Sequence, residues 1–340
     1  MKTSDFDYQL PPEQIAQAPV EPRDASRLMV LERNSHKRIH SQFNQIGKFL
    51  RPGDILVVNR SRVIPARLPA RKVPSGGKLE ILLLEKIGPA SWKGLVGGKG
   101  MGVGKRFTLE NGVEGEVLEE LGGAQRILRF DQALDRSLDQ VGQVPLPPYI
   151  HRPLEDPERY QTVYAKEEGS AAAPTAGLHF TQPLIDALKG NGIGFAEVLL
   201  HVGLDTFAPV TEGQPEEHLI HREWCQLGAG AADRINACKR AGGRVIAVGT
   251  TSVRVLESAA RYALPGDGVA AFEGATDLFI LPGYRFRIVD AMVTNFHLPR
   301  STLVMLVSAF AGREQILDCY QEAIEEGYRF YSFGDAMLIL

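Results

Sequence analysis

The stretch RVIAVGTTSVRVLESAARY, residues 244–262, contains an apolar run that ends at Gly249 and is followed by a helical pattern. RVIAVG has the uninterrupted apolar character of a strand that is buried on both faces. In TSVRVLESAARY, Val253, Leu256 and Ala260 recur at the spacing of one helix face. A buried strand that leads directly into an amphipathic helix is the repeating unit of layered α/β proteins, so this stretch predicts an α/β fold.

The segments on both sides of this stretch continue the alternation of strands and helices. The predicted strands are 195–202 and 285–294, and the predicted helices are 181–192, 230–243, about 301–311 and about 313–326. Within the first 60 residues, RLMVLE, NQIGKFL and DILVVN predict a further strand–helix–strand unit. The α/β domain therefore takes residues from both ends of the chain.

The middle of the N-terminal half has a different pattern, with short alternating runs separated by glycine clusters at 94–104 and 112–123. Such runs are typical of a small antiparallel barrel or sandwich. They cover 62–73, 78–87, 105–110, 115–120 and 125–130, and a stiff connector with five prolines follows at 144–157. We predict a layered α/β/α domain with a mixed sheet, residues 1–65 and 150–340, interrupted by an inserted small antiparallel β-barrel domain at 66–149.

The overall composition is that of a globular intracellular protein. The chain has 340 residues, of which 44% are hydrophobic, and its net charge is −3. Cys225, Cys238 and Cys319 are odd in number and widely spaced, which argues against a disulfide scaffold or a Cys-rich zinc module. No segment has the ~18 apolar residues of a membrane span, and the N-terminus has no apolar signal core. We therefore expect a cytoplasmic location.

The charge is distributed unevenly along the chain. Residues 51–106 contain twelve Lys and Arg against three acidic residues, a local charge of +9 that leaves −12 for the rest. A strongly basic region is the usual footprint of a polyanion partner. A solvated strand surface, whose lysines keep sheet edges apart, is the alternative interpretation.

Three familiar ligand-binding motifs are absent or weak. GGKGMGVGKR has Lys99 where a P-loop needs its first glycine and Arg106 where it needs Ser or Thr. No dinucleotide-binding G-x-G-x-x-G lies between a strand and a helix. His218 and His221 have a spacing used in metal sites, but no third ligand follows at a familiar distance. A polar loop that moves protons and a plain hydrogen-bonded loop remain as alternatives for this segment.

The segment GTTSVR, residues 249–254, lies where a buried strand ends and a helix begins. Ligands of α/β proteins bind at this position, because helix N-termini offer free N–H groups. Thr250, Thr251 and Ser252 could therefore contact a ligand or simply cap the helix. Arg254 falls on the helix face opposite the apolar stripe, from which it could reach a carboxylate or phosphate.

Three further loops place a histidine beside Gly, Thr or Asn where a strand should end. They are 173–181, 199–210 and 294–302, with His179, His201 and His297. A single core histidine is usually structural, but three such loops in one domain favour a shared pocket. The absence of a G-x-S-x-G elbow gives no support to a hydrolase triad.

These segments together resemble one family, the S-adenosylmethionine:tRNA ribosyltransferase-isomerases of queuosine synthesis. The resemblance covers about residues 4–339. It rests on DFDYQLPPEQIAQ, PRDASRLMVL, DILVVNRSRVIPARL, LPPYIHR, APTAGLHFT, LHVGLDTFAPV, EEHLIHREW, VGTTSVRVLES, PGYRFRIVDAMVTNFHLPRSTLVMLVSAFAG and YRFYSFGDAML. Two departures are Arg60-Ser61, where members often have Asp-Thr, and Asp205, where they often have Gly.

The resemblance implies an enzyme that consumes S-adenosylmethionine as a ribosyl donor. The ribosyl group moves to 7-aminomethyl-7-deazaguanine at the wobble position of a tRNA with a GUN anticodon, and it rearranges to give epoxyqueuosine while adenine and methionine leave. No metal or redox cofactor is implied, and no membrane partner. We further expect a monomer.

This reaction calls for a base at the 5′ carbon, a group that protonates adenine, and a cation for the methionine carboxylate. We predict the base among His221 and Glu223, then His297 and His179, and the acid among Asp290 and Asp335. Arg254 is predicted to bind the carboxylate, and Asn295 and Thr175 to orient ribose hydroxyls or the deazaguanine. The remaining predicted substrate contacts are His201, Thr250, Thr251 and Ser252. The predicted tRNA contacts are Arg62, Arg67, Arg71, Lys72, Lys99 and Lys105.

Overall fold

The computed structural model describes residues 1–134, 137–203, 209–220 and 222–340. It divides the chain into two compact units, one of Met1–Ser61, Pro148–Glu167 and Pro174–Leu340, the other of Arg62–Pro147 and Glu168–Ala173. The inserted unit thus begins four residues and ends two residues before the expected boundaries of 66 and 149. It also includes Glu168–Ala173, because the strand Glu167–Ser170 pairs with the strand Ser61–Val63.

The described residues form the following strands and α-helices. The strands are β1 (Arg27–Glu32), β2 (Lys37–Gln42), β3 (Ile55–Asn59), β4 (Ser61–Val63), β5 (Arg67–Val73), β6 (Lys78–Gly88), β7 (Ser91–Val96), β8 (Arg106–Leu109), β9 (Glu114–Gly122), β10 (Gln125–Phe130), β11 (Glu167–Ser170), β12 (Gly194–Leu200), β13 (Glu223–Leu227), β14 (Val245–Val248), β15 (Phe272–Thr276), β16 (Ala291–Asn295) and β17 (Ala336–Ile339). The helices are α1 (Leu138–Val141), α2 (Gln182–Gly190), α3 (Ala229–Arg240), α4 (Thr250–Ala259), α5 (Thr302–Ala311) and α6 (Arg313–Glu325).

The larger unit is built on a nine-stranded sheet with the order β15-β13-β12-β3-β14-β16-β17-β1-β2. The strands β12, β3, β14 and β16 are parallel to their neighbours in this series, β17 is antiparallel to β16, and β1 is parallel to β17. Ile246 and Val248 of β14 join the core that α2 covers. Val245 and Ala247 point to the opposite face, on which α3 and α4 contact the sheet. The predicted layered α/β/α fold with a mixed sheet is confirmed.

Local signals explain why the helices of this unit form where they do. The Thr181 hydroxyl accepts a hydrogen bond from the N–H of Leu184 at 3.3 Å, and Pro183 occupies the first turn of α2. The helices predicted at about 301–311 and 313–326 are α5 and α6. The segment NQIGKFL forms a 3-10 helix, Phe43–Phe49, and β2 pairs with β1 as a hairpin that the sequence interpretation did not include.

The strand predicted at 285–294 is shorter than expected, because a buried carboxylate takes its N–H groups. Glu257 of α4 is fully buried and accepts hydrogen bonds from the N–H groups of Arg287, Ile288 and Val289 at 3.0–3.2 Å. It also accepts the Tyr284 hydroxyl at 3.0 Å. These N–H groups cannot pair with a neighbouring strand, so β16 begins only at Ala291.

The smaller unit is a closed antiparallel barrel with the order β10-β7-β6-β5-β8-β9. The inserted barrel is confirmed, and the sandwich alternative is wrong. Alternate residues such as Leu68, Ile81 and Phe107 fill its interior. At Gly115 a Cβ atom would lie 2.4 Å from the Phe107 ring, so only glycine fits there. The run 62–73 is divided between β4 and β5.

No helix among the described residues is long and apolar enough to cross a membrane.

Candidate active site

One edge of the nine-stranded sheet gathers polar residues that are far apart in the sequence. The parallel strands β12, β3, β14 and β16 end at this edge, and β13, β17 and β1 begin there because they run in the opposite direction. In order across the sheet, the residues at the edge are Glu223, His201, Asn59, Gly249, Asn295, Asp335 and Ser26. The carboxyl ends of parallel strands are the usual ligand-binding position in α/β proteins.

Asn295, the last residue of β16, connects the polar groups at the centre of this edge. Its amide nitrogen lies 3.3 Å from Nε2 of His179 and donates to the Tyr331 carbonyl at 3.0 Å. Its amide oxygen accepts the Thr175 hydroxyl at 3.4 Å. Nδ1 of His179 lies 2.8 Å from the Ser26 hydroxyl. Predicted residues from two separate segments, Thr175 and His179 from one and Asn295 from the other, thus belong to one hydrogen-bonded cluster.

This cluster determines which nitrogen of His179 carries the proton. The Asn295 amide nitrogen can only donate, so Nε2 of His179 accepts and Nδ1 donates to the Ser26 hydroxyl. Burial, followed by the nearby Arg329, lowers the pKa of His179 to about 3. The imidazole is therefore neutral near pH 7 and acts as a hydrogen-bonding group in this arrangement.

His297 is the second buried histidine at this edge. Its Nε2 lies 2.6 Å from the Thr294 hydroxyl, and burial lowers its pKa to about 3. Its N–H donates to the Tyr320 hydroxyl at 3.1 Å, and its carbonyl accepts the Tyr8 hydroxyl. Several neighbours thus hold the loop that follows β16 in place.

We expect these two histidines to make stability depend on pH between about 3 and 6.5. The unfolded histidine takes up a proton below its pKa of about 6.5, whereas the folded one stays neutral down to about pH 3, so stability falls as the pH falls. Each contributes a slope of about 1.4 kcal/mol per pH unit. In His297→Gln, the free energy of unfolding should therefore change less steeply with pH than in the unsubstituted protein, and urea unfolding from pH 4.5 to 8 measures this. The exposed His151→Gln is the control, and equal slopes in both variants would contradict the prediction.

The first turn of α4 lies beside this cluster, but its hydroxyl groups do not cap the helix. Gly249 is the N-cap residue, with φ of +85°, and a Cβ atom there would lie 3.6 Å from the Ala176 side chain. The Ser252 hydroxyl donates to the Val248 carbonyl at 2.8 Å, and Thr250 is buried. The buried Thr251 hydroxyl has no hydrogen-bond partner among the described residues. The capping interpretation is wrong, because no side chain accepts a hydrogen bond from the first N–H groups of α4.

Glu223 and Arg254 form a buried ion pair, which the sequence did not predict. The guanidinium of Arg254 pairs with the Glu223 carboxylate and donates to the carbonyls of Leu278 at 3.1 Å and Thr276 at 3.4 Å. The second oxygen of Glu223 accepts the N–H of Gly203 at 2.8 Å. Arg254 is only 7% exposed, and the carboxylate that it reaches is that of Glu223. Its charge is already neutralised by Glu223.

The two predicted acids, Asp290 and Asp335, lie at opposite edges of the sheet. Asp290 precedes β16 and pairs with Lys239 at 2.8 Å, and it accepts the N–H of Val245 at 2.8 Å. It lies at the amino end of the strands, roughly 16 Å of strand length from Asn295, so the structure does not bring it to the edge that gathers the other predicted residues. Asp335 lies at the correct edge, but its carboxylate accepts the N–H groups of Arg27 at 2.9 Å and Arg329 at 2.8 Å.

His201 lies apart from the other two histidines. It follows β12, which is three strand positions from β16, or about 14 Å across the sheet. It stacks on Trp224, and its Nδ1 has no hydrogen-bond partner among the described residues. Of the three predicted loops, the structure therefore brings those of His179 and His297 close together, through Asn295, and not that of His201. His221 and Asp205 lie outside the described residues. Arg60 pairs with Glu167 and Glu197 at the sheet edge.

Tyrosines form a part of this site that the sequence interpretation missed. Tyr331 has φ of +70°, an uncommon value for a residue with a side chain. Its N–H donates to the Phe296 carbonyl at 3.1 Å, and its carbonyl accepts from Asn295. The Tyr149 ring packs against the Tyr331 ring with centroids 4.6 Å apart and planes tilted by 38°, and the Tyr149 hydroxyl lies 2.7 Å from that of Ser332. The motif YRFYSFGDAML was the available signal, but it does not reveal these partners.

The predicted tRNA contacts lie in the barrel unit, and they differ in how their charge is balanced. Arg67 pairs with Glu80 at 3.3 Å. Arg71 donates to the Gly76 carbonyl at 3.3 Å, and Lys72 to the Lys99 carbonyl at 2.6 Å. Arg62 is half-buried.

Lys99 and Lys105 are exposed and take part in no ion pair among the described residues. Over residues 62–147 and 168–173, acidic residues reduce the charge of the unit to +2. Some of these acidic residues pair directly with basic residues on the barrel surface, as Glu114 does with Arg106. The unpaired positive charge is therefore local and is centred on a few lysines.

The fold and this edge define the class of protein as an α/β enzyme that carries an inserted β-barrel. The chain matches the family model of the queuosine biosynthesis protein over residues 3–339. It is 54% identical to the S-adenosylmethionine:tRNA ribosyltransferase-isomerase of Carboxydothermus hydrogenoformans and 52% to that of Symbiobacterium thermophilum, over 100% of each chain. A crystal structure of S-adenosylmethionine tRNA ribosyltransferase from Thermotoga maritima is similar, with a TM-score of 0.59 and 42% identity, over 99% of this chain and 100% of that one. The chain belongs to the S-adenosylmethionine:tRNA ribosyltransferase-isomerase family of queuosine biosynthesis, which confirms the resemblance found in the sequence.

Proposed function

We propose that this enzyme transfers the ribosyl group of S-adenosylmethionine to 7-aminomethyl-7-deazaguanine at the wobble position of a tRNA with a GUN anticodon. The sugar is isomerised to give epoxyqueuosine, and adenine and methionine are released. Family membership supports a reaction of S-adenosylmethionine and tRNA. The observation that carries the proposal further is the cluster of Asn295, His179 and Thr175 at the carboxyl edge of the sheet.

In this proposal the cluster orients the donor, and another group removes the proton from its 5′ carbon. His179 and His297, with pKa values lowered to about 3 by burial, are weak bases suited to holding hydroxyl groups. The Glu223 carboxylate is occupied by Arg254 and the N–H of Gly203. We therefore keep His221 as the proposed general base. No metal or redox cofactor takes part in the proposed reaction, and we propose a cytoplasmic monomer.

Product analysis tests this function directly. The protein is incubated with S-adenosylmethionine and a tRNA that carries the aminomethyl-deazaguanine, and the small products and the modified nucleoside are identified by mass spectrometry. Adenine, methionine and an epoxycyclopentane-bearing nucleoside in equal amounts are expected. S-adenosylhomocysteine would indicate a methyltransferase, and tRNA binding without turnover would indicate a non-catalytic RNA-binding protein. Either result would overturn the proposal.

Reversing the charge of two barrel lysines should weaken tRNA binding. Lys99→Glu with Lys105→Glu changes the charge by four units at exposed positions without ion-pair partners among the described residues. We expect an affinity loss of about 10-fold or more at 0.1 M salt and a shallower dependence of binding on salt, because phosphate contacts release counterions. Filter binding of tRNA at several salt concentrations measures both.

The control for this prediction is Lys37→Glu with Arg240→Glu, which makes the same charge change at exposed positions of the α/β unit. S-adenosylmethionine binding should be unchanged in both double variants. Equal tRNA affinities for the two would show that overall charge, and not the barrel surface, determines binding.

A further inference from the structure

A cleft lies beside the Asn295 cluster, and His179 belongs to its lining. Its polar lining comes from Arg23, Arg159, His179 and Ser332, and Phe333 and Gly334 complete one wall. The remaining lining residues are apolar, so the lining contains two cations and no acidic residue. A cleft of this composition is suited to a ligand with an anionic group and an apolar part.

Arg23 is the cation in this cleft whose charge is least satisfied. It precedes Ser26, the partner of His179, by one turn of 3-10 helix (Arg23–Ala25). Its guanidinium donates to the carbonyls of Gln161 and Glu158, and no carboxylate lies within 4 Å of it in the described residues. Burial and the neighbouring Arg159 lower the pKa of Arg23, and the carboxylates of Glu21, Asp156 and Glu158 offset this only in part.

The other arginines beside this edge are already paired with acids. Those with a carboxylate within 4 Å are Arg27, Arg60, Arg159, Arg254 and Arg329. Arg254, which the sequence assigns to the methionine carboxylate, is neutralised by Glu223. A substrate carboxylate would have to displace that partner at Arg254, whereas at Arg23 it would displace none. The free donors of a guanidinium also match the two oxygens of a carboxylate.

We propose that Arg23 binds the α-carboxylate of the methionine part of S-adenosylmethionine in this cleft. The inference rests on the proposed function and assigns the donor's anionic end to a residue. The methionine end then lies beside His179, and the sulfonium and ribose face the Asn295 cluster. Arg159, held by Glu21 and by the Val20 carbonyl at 2.8 Å, adds positive charge to the cleft wall.

The test compares S-adenosylmethionine with its decarboxylated form, which lacks only the group assigned to Arg23. Binding is measured by calorimetry in the presence of an anticodon stem-loop with unmodified guanine at the wobble position, which cannot accept the ribosyl group. The unsubstituted enzyme should bind S-adenosylmethionine about 10- to 100-fold more tightly than the decarboxylated form, as one charged hydrogen-bonded pair provides. Arg23→Gln should lower only the affinity for S-adenosylmethionine, so that the two ligands bind within threefold of each other. Arg23→Lys should restore part of the difference.

Arg240→Gln, an exposed substitution on α3, is the control and should retain the full discrimination. Discrimination retained in Arg23→Gln would overturn the proposal. So would a loss of stem-loop affinity with discrimination unchanged, because the cleft would then hold a phosphate of the RNA. Turnover of the unsubstituted enzyme is measured separately. If the unsubstituted enzyme releases no adenine, the proposed function is wrong. If it releases adenine and Arg23→Gln still prefers S-adenosylmethionine over the decarboxylated form to the same extent, only the role of Arg23 is wrong.

Discussion

Asn295→Ala is expected to lower kcat by about 100-fold or more, the usual cost when reacting groups lose their alignment. The substitution removes the amide that connects Thr175, His179 and Tyr331. It leaves Nε2 of His179 and the Tyr331 carbonyl without that donor, so the imidazole loses one of the two hydrogen bonds that fix its tautomer and orientation. Steady-state release of adenine, with kcat and KM determined separately, measures the effect. Asn295→Asp, which retains the size but not the amide donor, should also lose activity.

Asn236→Ala is the matched control for this prediction. Asn236 is also a buried asparagine with three hydrogen bonds, donating to the Val269 carbonyl and accepting the N–H groups of Gly268 and Val269, but it lies on α3. Its substitution should reduce stability by a similar amount and leave kcat nearly unchanged at temperatures where the protein is folded. If the two alanine variants have kcat values within threefold of each other, the Asn295 cluster has no specific role in the reaction.

Breaking the pair between Glu223 and Arg254 should reduce the free energy of unfolding by about 3–5 kcal/mol, because the partner that remains is a buried charge without compensation. Both side chains are less than 10% exposed. Glu223→Gln and Arg254→Met are the single variants. Replacing both should cost less than the sum of the two single changes, since neither charge is then left unpaired. Urea unfolding of the four proteins measures this coupling.

The exposed pair of Arg129 and Glu116 on the barrel serves as the control, since Arg129 is 60% exposed. Pairs of this kind contribute at most about 1 kcal/mol. The same variants also test whether Glu223 is the general base. If activity recovers in the doubly substituted protein, the pair has a structural role and Glu223 is not the general base. Coupling no larger than that of the surface pair would contradict the structural role.

Much of the fold could be predicted because its signals are local. The alternation at 244–262 identified a strand and a helix, and the glycine-punctuated runs identified a barrel, since both patterns depend on periods of two to four residues. The hairpin of β1 and β2 and the short length of β16 could not be predicted. The first has the turn-forming residues Asn34 and Ser35, but its second strand, KRIHSQ, contains a single apolar residue. The second depends on Glu257, about thirty residues away along the chain.

The sequence could predict which segments contribute to the candidate site, but not which residues in them contact each other. Thr175, His179 and Asn295 lie in loops that the sequence singled out, and the structure joins them. Glu223 and Arg254 were assigned separate chemical roles, although they neutralise each other. Arg23 lies within a quoted motif, but the position of its guanidinium in a cleft with Arg159 depends on contacts between distant segments.

The sequence by itself determined the α/β fold, the inserted barrel and the family, because these depend on residue order and on long motifs. Only the tertiary structure decided which polar groups share an edge. Asp290, just before β16, and Asn295, its last residue, are five residues apart, yet they lie at opposite edges of the sheet, whereas His179 and Ser26 are hydrogen-bonded across 153 residues. The reason is that strand order and direction determine which segment ends meet, and these arise from packing between distant parts of the chain.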